Sequence, residues 1–246
     1  MEWSEWESWY KEIVEELGYS RERDEDAARI LDELIGDRTL TFTELRLRVG
    51  GDIAIVAGAG ESLEDDVDRF LGSNLVGKAA IFAADGASKS FLDRGLAPHV
   101  VVTDLDGGDE TLLRASELGS IMVVHAHGDN IEALRRLVPR FHGPIFGTTQ
   151  SRPFKKIYNV GGFTDGDRAA YLASALNFRT IILIGMNLIP KSGNEVEEKK
   201  LFFAKKLLER LASTAPGRFY NATGGKRVEI RGFQGASFRE LDKILR

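Results

Sequence analysis

Six short apolar runs, at 53–57, 79–84, 100–103, 121–124, 144–147 and 180–184, recur through the middle of the chain, with helical stretches at 61–71, 87–94, 109–118, 129–138 and 165–177 between most of them. Runs this short and continuous fit strands buried on both faces, and connections long enough to hold a helix bring each strand back parallel to the last. The alternation predicts an α/β fold of three layers, α/β/α, around a mostly parallel sheet. In such sheets ligands sit beyond the carboxyl ends of the strands. Polar and glycine-rich clusters follow the runs as that rule requires: Gly58 to Ser62, Asp85-Gly86, Asp104 and Asp106, His125 to Asn130, Thr148 to Gln150, and Asn187.

The flanks read as helical additions. Residues 3–17 carry Trp3, Trp6, Tyr10, Ile13, Val14 and Leu17 near helical spacing, an aromatic stripe that reads as a packing face. A second helix, about 23–35, presents Ala27, Ala28, Ile30, Leu31, Leu34 and Ile35 and ends at Gly36. Segment 39–48 fits a strand or a connecting helix. After Asn187 a polar loop leads to a long helix at 196–212, then to irregular or short-stranded chain and a last helix near 237–245. The expected organisation is an N-terminal helical extension (1–49), a catalytic α/β domain (50–190) and a C-terminal helical segment (191–246) packing on that domain.

The most informative stretch is Pro98 to Gly108. Val100 to Val102 read as a strand that Thr103 carries to its end, and Asp104 and Asp106, two apart in extended backbone, share a face before Gly107-Gly108 turns the chain away. At about 4 Å and an effective dielectric near 20, two like charges repel by roughly 4 kcal/mol. A converging pair therefore shifts a pKa, stays apart in water, or holds a cation. A second acidic pair, Asp165 and Asp167, opens a helix, where capping and the helix dipole are the plain explanation. Both pairs on one ligand edge suit a hard cation with oxygen ligands, magnesium above all, with Asp104, Asp106, Asp165 and Asp167 as metal-binding and catalytic candidates.

Other motifs are weaker. Gly58-Ala59-Gly60-Glu61-Ser62, between strand and helix, suits phosphate binding but has Leu63 where a dinucleotide fingerprint wants a third small residue. Gly72 to Lys78 imitates a P-loop until Ala79, in the reverse helix-to-strand order, and is rejected. His125 and His127 share a strand face, yet the chain has no cysteine and four histidines in all, too few for a structural zinc site. With Asp129 and Asn130, and with Thr149 and Gln150 after the next run, they read instead as polar substrate contacts.

Composition narrows the class. A formal charge of −5 argues against a nucleic-acid footprint, absent cysteines fit a reducing cytoplasm, and no apolar run nears the roughly 20 residues of a membrane span. Asn221-Ala222-Thr223 is a glycosylation sequon by chance.

The ordered motifs Gly-Ala-Gly-x-Ser-Leu, Ala-Asp-Gly-Ala, Pro-x-x-Val-Val-Thr-Asp-Leu-Asp-Gly, His-Ala-His-Gly-Asp-Asn, Gly-Thr-Thr-Gln, Gly-Phe-Thr-Asp-Gly-Asp-Arg-Ala and Leu-Ile-Gly-Met, over about 53–188, resemble the archaeal 6-hydroxymethyl-7,8-dihydropterin pyrophosphokinase family, and more distantly thiamine pyrophosphokinases. The resemblance implies magnesium-dependent transfer of diphosphate from ATP to the pterin hydroxymethyl oxygen, giving AMP, in tetrahydromethanopterin or folate biosynthesis. It also implies small-molecule partners and, through the thiamine enzymes, a homodimer. Two positions depart from the family pattern: Glu61, where Pro is common, and Asn187, where Asp is common. On this reading Gly58, Gly60, Ser62, Asp85 and Gly86 face ATP, and His125 to Asn130 with Thr149 and Gln150 face the pterin. The rivals are a thiamine pyrophosphokinase and a non-catalytic nucleotide or S-adenosylmethionine binding module that uses Asp85 for ribose hydroxyls.

Overall fold

The computed structural model describes residues 1–190 and 192–245. Among the described residues nine strands form one sheet: β1 (Ile53–Ala57), β2 (Ala79–Ala84), β3 (Val100–Thr103), β4 (Ile121–Ala126), β5 (Ile145–Thr149), β6 (Ile157–Tyr158), β7 (Thr180–Ile184), β8 (Arg218–Asn221) and β9 (Gln234–Gly235). They run in the order β6-β5-β4-β3-β2-β1-β7-β8-β9, and every neighbouring pair is parallel. The chain fills one half of the sheet outward from β1, then crosses to the other side of β1 through β7. In that central strand Ile53–Ala57 pairs with Ala79–Ala83 on one side and Thr180–Ile184 on the other, so it has no edge to expose.

Ten α-helices among the described residues cover the two faces: α1 (Trp3–Leu17), α2 (Arg21–Ile35), α3 (Phe42–Val49), α4 (Leu63–Leu71), α5 (Asp85–Leu92), α6 (Asp109–Glu117), α7 (Ile131–Leu137), α8 (Asp165–Ala175), α9 (Glu195–Thr214) and α10 (Phe238–Ile244). Alternate strand side chains go to opposite faces. Val56, Phe82, Val102, Val123 and Phe146 share a core with residues of α1, α3, α8 and α9. On the other face Ile55 and Ile81 pack with α4, α5 and α10, while Val101, Met122 and Val124 pack with α2, α6 and α7. The fold is the expected three-layer α/β/α.

Segment 39–48 resolves as helix because Thr41 and Glu44 make a capping box, each side chain bonding the other's backbone N–H, at 3.3 and 2.8 Å. Thr39, just before it, makes a parallel bridge to Ile145. α1 and α2, read from sequence as one helical unit, divide between the two faces of the sheet. They are joined by a buried hydrogen bond of 2.6 Å from the Tyr10 hydroxyl to Asp24. The sequon asparagine, Asn221, is buried in β8 and its amide oxygen accepts from Thr223 N, so it offers no acceptor nitrogen to solvent. No helix among the described residues is long and apolar enough to cross a membrane.

Candidate active site

β3 ends at Thr103, and the next turn builds the acidic cluster. Leu105 is held at φ 75°, a left-handed conformation that costs a branched residue free energy, and its N–H donates to Thr103 Oγ1 at 2.7 Å. That turn brings Asp104 and Asp106 together; the extended backbone assumed from sequence is not what makes them converge. Asp85, first residue of α5 at the end of β2, joins them, with its Oδ2 accepting the Thr103 hydroxyl. Carboxylate oxygens of Asp85, Asp104 and Asp106 lie within 4.8 Å of one another. Asp104 Oδ1 is buried with no hydrogen-bond partner among the described residues.

The second acidic pair separates. Asp165 reaches the cluster: its Oδ2 lies 3.4 Å from Asp104 N, and its Oδ1 accepts from Arg168 at 2.9 Å. Asp167 turns back on its own helix and accepts from Phe163 N at 2.8 Å, Thr164 N at 2.7 Å and Thr164 Oγ1 at 2.6 Å. It is fully buried and bound in the N-terminal turn of α8. Asp167→Ala is expected to lower unfolding free energy by about 1–3 kcal/mol, because it orphans buried backbone donors. Urea unfolding checks that loss, and Asp165→Asn serves as the comparison whose main effect falls on turnover.

Charge crowding marks the cluster. Burial, reinforced by the neighbouring Asp104 and Asp106 and only partly offset by bonds from Thr103 and Gly107, pushes the Asp85 carboxyl up to about 6. Burial and the Asp104 charge raise Asp106, and raise Asp165 well above the usual carboxylate range. Asp104 stays below its ordinary value, since His127 and Arg168 together outweigh the upward push of burial. The cluster is thus short of positive charge, and a cation would relieve it.

β4 supplies the histidines. His125 is 2% exposed; its Nδ1 lies 3.2 Å from Thr148 Oγ1, its Nε2 makes no close hydrogen bond among the described residues, and the Gln150 side chain stands beside the ring. Burial, then the Arg168 and His127 charges, push its pKa well down, so the imidazole is neutral at neutral pH. His127 Nε2 sits 3.7 Å from Asp104 Oδ2. Asn130 staples this turn from behind: its Nδ2 donates to the Asp104 and His125 carbonyls, each at 2.7 Å, and its Oδ1 accepts His127 N at 3.1 Å. Asp129 points outward toward Arg23, 3.7 Å away. Thr149, the last residue of β5, is buried in a turn with Ser151, which leaves Gln150, just past the strand, on the site.

These groups enclose a cavity of about 200 Å³ lined by Asp104, Asp106, Asp165, His125, His127 and Gln150 together with Thr164. Four further lining residues went unnoticed in the sequence: Tyr19 from the α1–α2 turn, Phe163, Arg168 and Lys200 of α9. Arg168 carried a signal, an opposite charge three residues from Asp165 on a helix. Tyr19 and Lys200 are brought in by packing alone.

The glycine loop lies elsewhere. Gly58 N donates to Ile184 O at 2.9 Å and Gly60 N to Gly185 O at 2.8 Å, so the exits of β1 and β7 close on each other. A Cβ on Gly60 would meet Asn187 Oδ1 at 2.3 Å, which accounts for the glycine by close approach. Ser62 Oγ sits between Asp66 and Asn187, at 2.8 and 2.9 Å, and Gly86 packs on Ala59. None of Gly58, Gly60, Ser62 and Gly86 lines the cavity. Asn187 uses both ends of its amide, Oδ1 on Ser62 N and Nδ2 on the Gly224 and Lys226 carbonyls, a double role that a carboxylate lacks the donors to fill.

A parallel α/β/α sheet with carboxylates gathered at adjacent strand ends around a small polar cavity defines an α/β enzyme of the acid-cluster kind. Comparison with known proteins is specific. The family model "6-hydroxymethylpterin diphosphokinase MptE-like" matches residues 33–192. A 6-hydroxymethyl-7,8-dihydropterin pyrophosphokinase from Methanothermobacter thermautotrophicus is 41% identical over 187 residues, covering 76% of this chain and 79% of the relative. The enzyme of the same name from Pyrococcus furiosus is 41% identical over 226 residues, 86% of this chain and 94% of the relative. The chain belongs to the MptE-like 6-hydroxymethylpterin diphosphokinase family. In fold alone it also resembles the MAf glycosyltransferase from Magnetospirillum magneticum AMB-1, with TM-score 0.56 and 16% identity over 85% of this chain and 39% of that one.

Proposed function

We propose that this protein transfers the terminal diphosphate of ATP to the hydroxymethyl oxygen of 6-hydroxymethyl-7,8-dihydropterin in the cytoplasm, releasing AMP, as a step of tetrahydromethanopterin or folate biosynthesis. The alcohol oxygen forms a bond to the β-phosphorus as the bond from that phosphorus to the α,β-bridging oxygen breaks, the bridging oxygen leaves with AMP, and the alcohol proton passes to solvent. The observation that carries this reading is the Asp85, Asp104 and Asp106 cluster, whose oxygens lie within 4.8 Å of one another with Asp104 Oδ1 unpartnered. A donor set made only of oxygen, partly buried and crowded enough to raise its own pKa values, fits magnesium.

Asp85, Asp104, Asp106 and Asp165 would hold the ion, which when bound neutralises phosphate charge. The remaining work falls to positioning, the main demand of phosphoryl transfer. Lys200 reaches the Asp106 side of the cavity and supplies positive charge to incoming phosphates. Arg168, buried and bonded to Asp165 and the Phe163 carbonyl, fixes the α8 end of the site. His125, His127 and Gln150 form the opposite wall, whose ring and amide groups suit a flat heterocycle with polar edges.

An AMP-release assay tests the reading with three arms: pterin alcohol, thiamine, and no acceptor. AMP is expected only with the pterin alcohol, and only with magnesium present. Release with thiamine instead assigns the chain to that reaction, and ATP binding without release in any arm leaves a binding module.

A further inference from the structure

Asp24 sits in the first turn of α2, 2% exposed, and three donors converge on it. Tyr10 Oη and Gln150 Nε2 donate to its Oδ2 at 2.6 and 2.8 Å, and Gly128 N donates to its Oδ1 at 2.7 Å. Gly128 follows His127 and Gln150 follows β5, so this one carboxylate ties α1 and α2 to both loops of the histidine and glutamine wall. Trp6 Nε1 holds the Gln150 carbonyl as well, at 2.7 Å. Both atoms are buried, and the tryptophan-rich helix thereby fixes the Gln150 backbone while Asp24 fixes its side chain.

The chemistry of this contact sets an atom. A carboxylate accepts and cannot donate, so only the nitrogen of the Gln150 amide can face Asp24. Its oxygen is left on the side of His125 and the cavity, both of which Gln150 adjoins. A free glutamine can turn either end of its amide to a ligand; this one spends one N–H on Asp24 and is oriented with its oxygen toward the site.

Building on the function proposed above, we infer that Asp24 is a positioning residue for acceptor-substrate selection: by holding Gln150 Nε2 it presents Gln150 Oε1 to the donor edge of the pterin, its exocyclic amine and adjacent ring N–H. The N-terminal helices thus serve substrate choice as well as core packing. An acceptor molecule lacking the amine withdraws a donor from Gln150 Oε1 in a buried wall where only His125 stands beside it, and selection follows from that loss.

Steady-state kinetics of the full chain tests this, with the pterin alcohol and its analogue carrying hydrogen in place of the amine. Asp24→Asn is nearly isosteric but gains a donor, which lets the Gln150 amide turn over. It is expected to raise KM for the pterin alcohol about tenfold, leave KM for ATP within about twofold, and shrink the preference for the amine-bearing substrate. Gln150→Ala is expected to lose the same preference, and the double variant to lose no more than either single one. Equal increases in both KM values, or a fall in kcat with preference intact, would reduce Asp24 to a structural residue and overturn the inference. If Asp24→Asn does not fold, as circular dichroism would show, Gln150→Ala decides alone, and an unchanged preference in it overturns the inference. Wild-type protein that releases no AMP with the pterin alcohol instead sinks the underlying function, and this inference with it.

Discussion

Asp104→Asn and Asp106→Asn are each expected to cut turnover by roughly 10²–10³-fold, the scale set by removing one preorganised electrostatic group from a transition state, while the protein stays folded. The two carboxylates differ in what surrounds them, and that makes the pair informative. Asp106 lies at the exposed rim with its pKa raised by burial and by Asp104, so its amide relieves repulsion and the cation-free protein gains stability. Asp104 is held ionised by His127 and Arg168, so its amide forfeits those attractions and the protein becomes slightly less stable. Thermal unfolding without magnesium separates the two in sign, and kcat across a magnesium titration measures what they share. Near wild-type activity in both variants at limiting magnesium would remove the cluster from the reaction.

The sheet was legible because its six long strands are buried on both faces and so appear as continuous apolar runs. β6 and β9, of two residues each, are too short to carry a period, and β8, as short as β3, is bounded by Arg218 and Asn221 and shows no continuous apolar run, so beyond α9 only short-stranded chain could be read. The convergence of Asp104 and Asp106 was foreseen for an incomplete reason: the left-handed Leu105 that produces it has no sequence signature. The parting of Asp165 and Asp167 was readable in principle, since residues two apart on a helix do not face the same way. Asp24 carried a signal too. It stands in register with Ala27, Ala28, Leu31 and Ile35 on the buried stripe of α2, and a carboxylate on an apolar stripe needs partners. The glycine loop has a second explanation that its sequence does not show, since glycine serves close backbone approach as readily as anion binding, and here the β7 exit packs against Gly58 and Gly60.

Gly107→Ala is expected to abolish most activity without replacing a functional side chain, with turnover falling about 10²-fold and the magnesium requirement rising. A Cβ at this position would stand 1.7 Å from Asp85 Oδ1 and 2.4 Å from its Cγ, far inside contact distance. Asp85 cannot yield easily, being 2% exposed and bonded to the Thr103 hydroxyl, so the methyl must drive its carboxylate off the cluster. Backbone strain is not the cause, because Gly107 is not among the glycines at positive φ. Its neighbour separates the two effects: Gly108 has φ 100° with nothing within 4 Å of an added Cβ. Gly108→Ala therefore tests strain without a clash and is expected to cost about 1 kcal/mol of stability with the magnesium response retained. Kinetics and unfolding of the two variants and of Asp85→Asn complete the comparison. If Gly107→Ala matches Asp85→Asn in magnesium dependence while Gly108→Ala does not, the Asp85 carboxylate belongs to the cation site; if Gly107→Ala keeps the wild-type dependence, it does not, and Asp85 only braces the Thr103 turn.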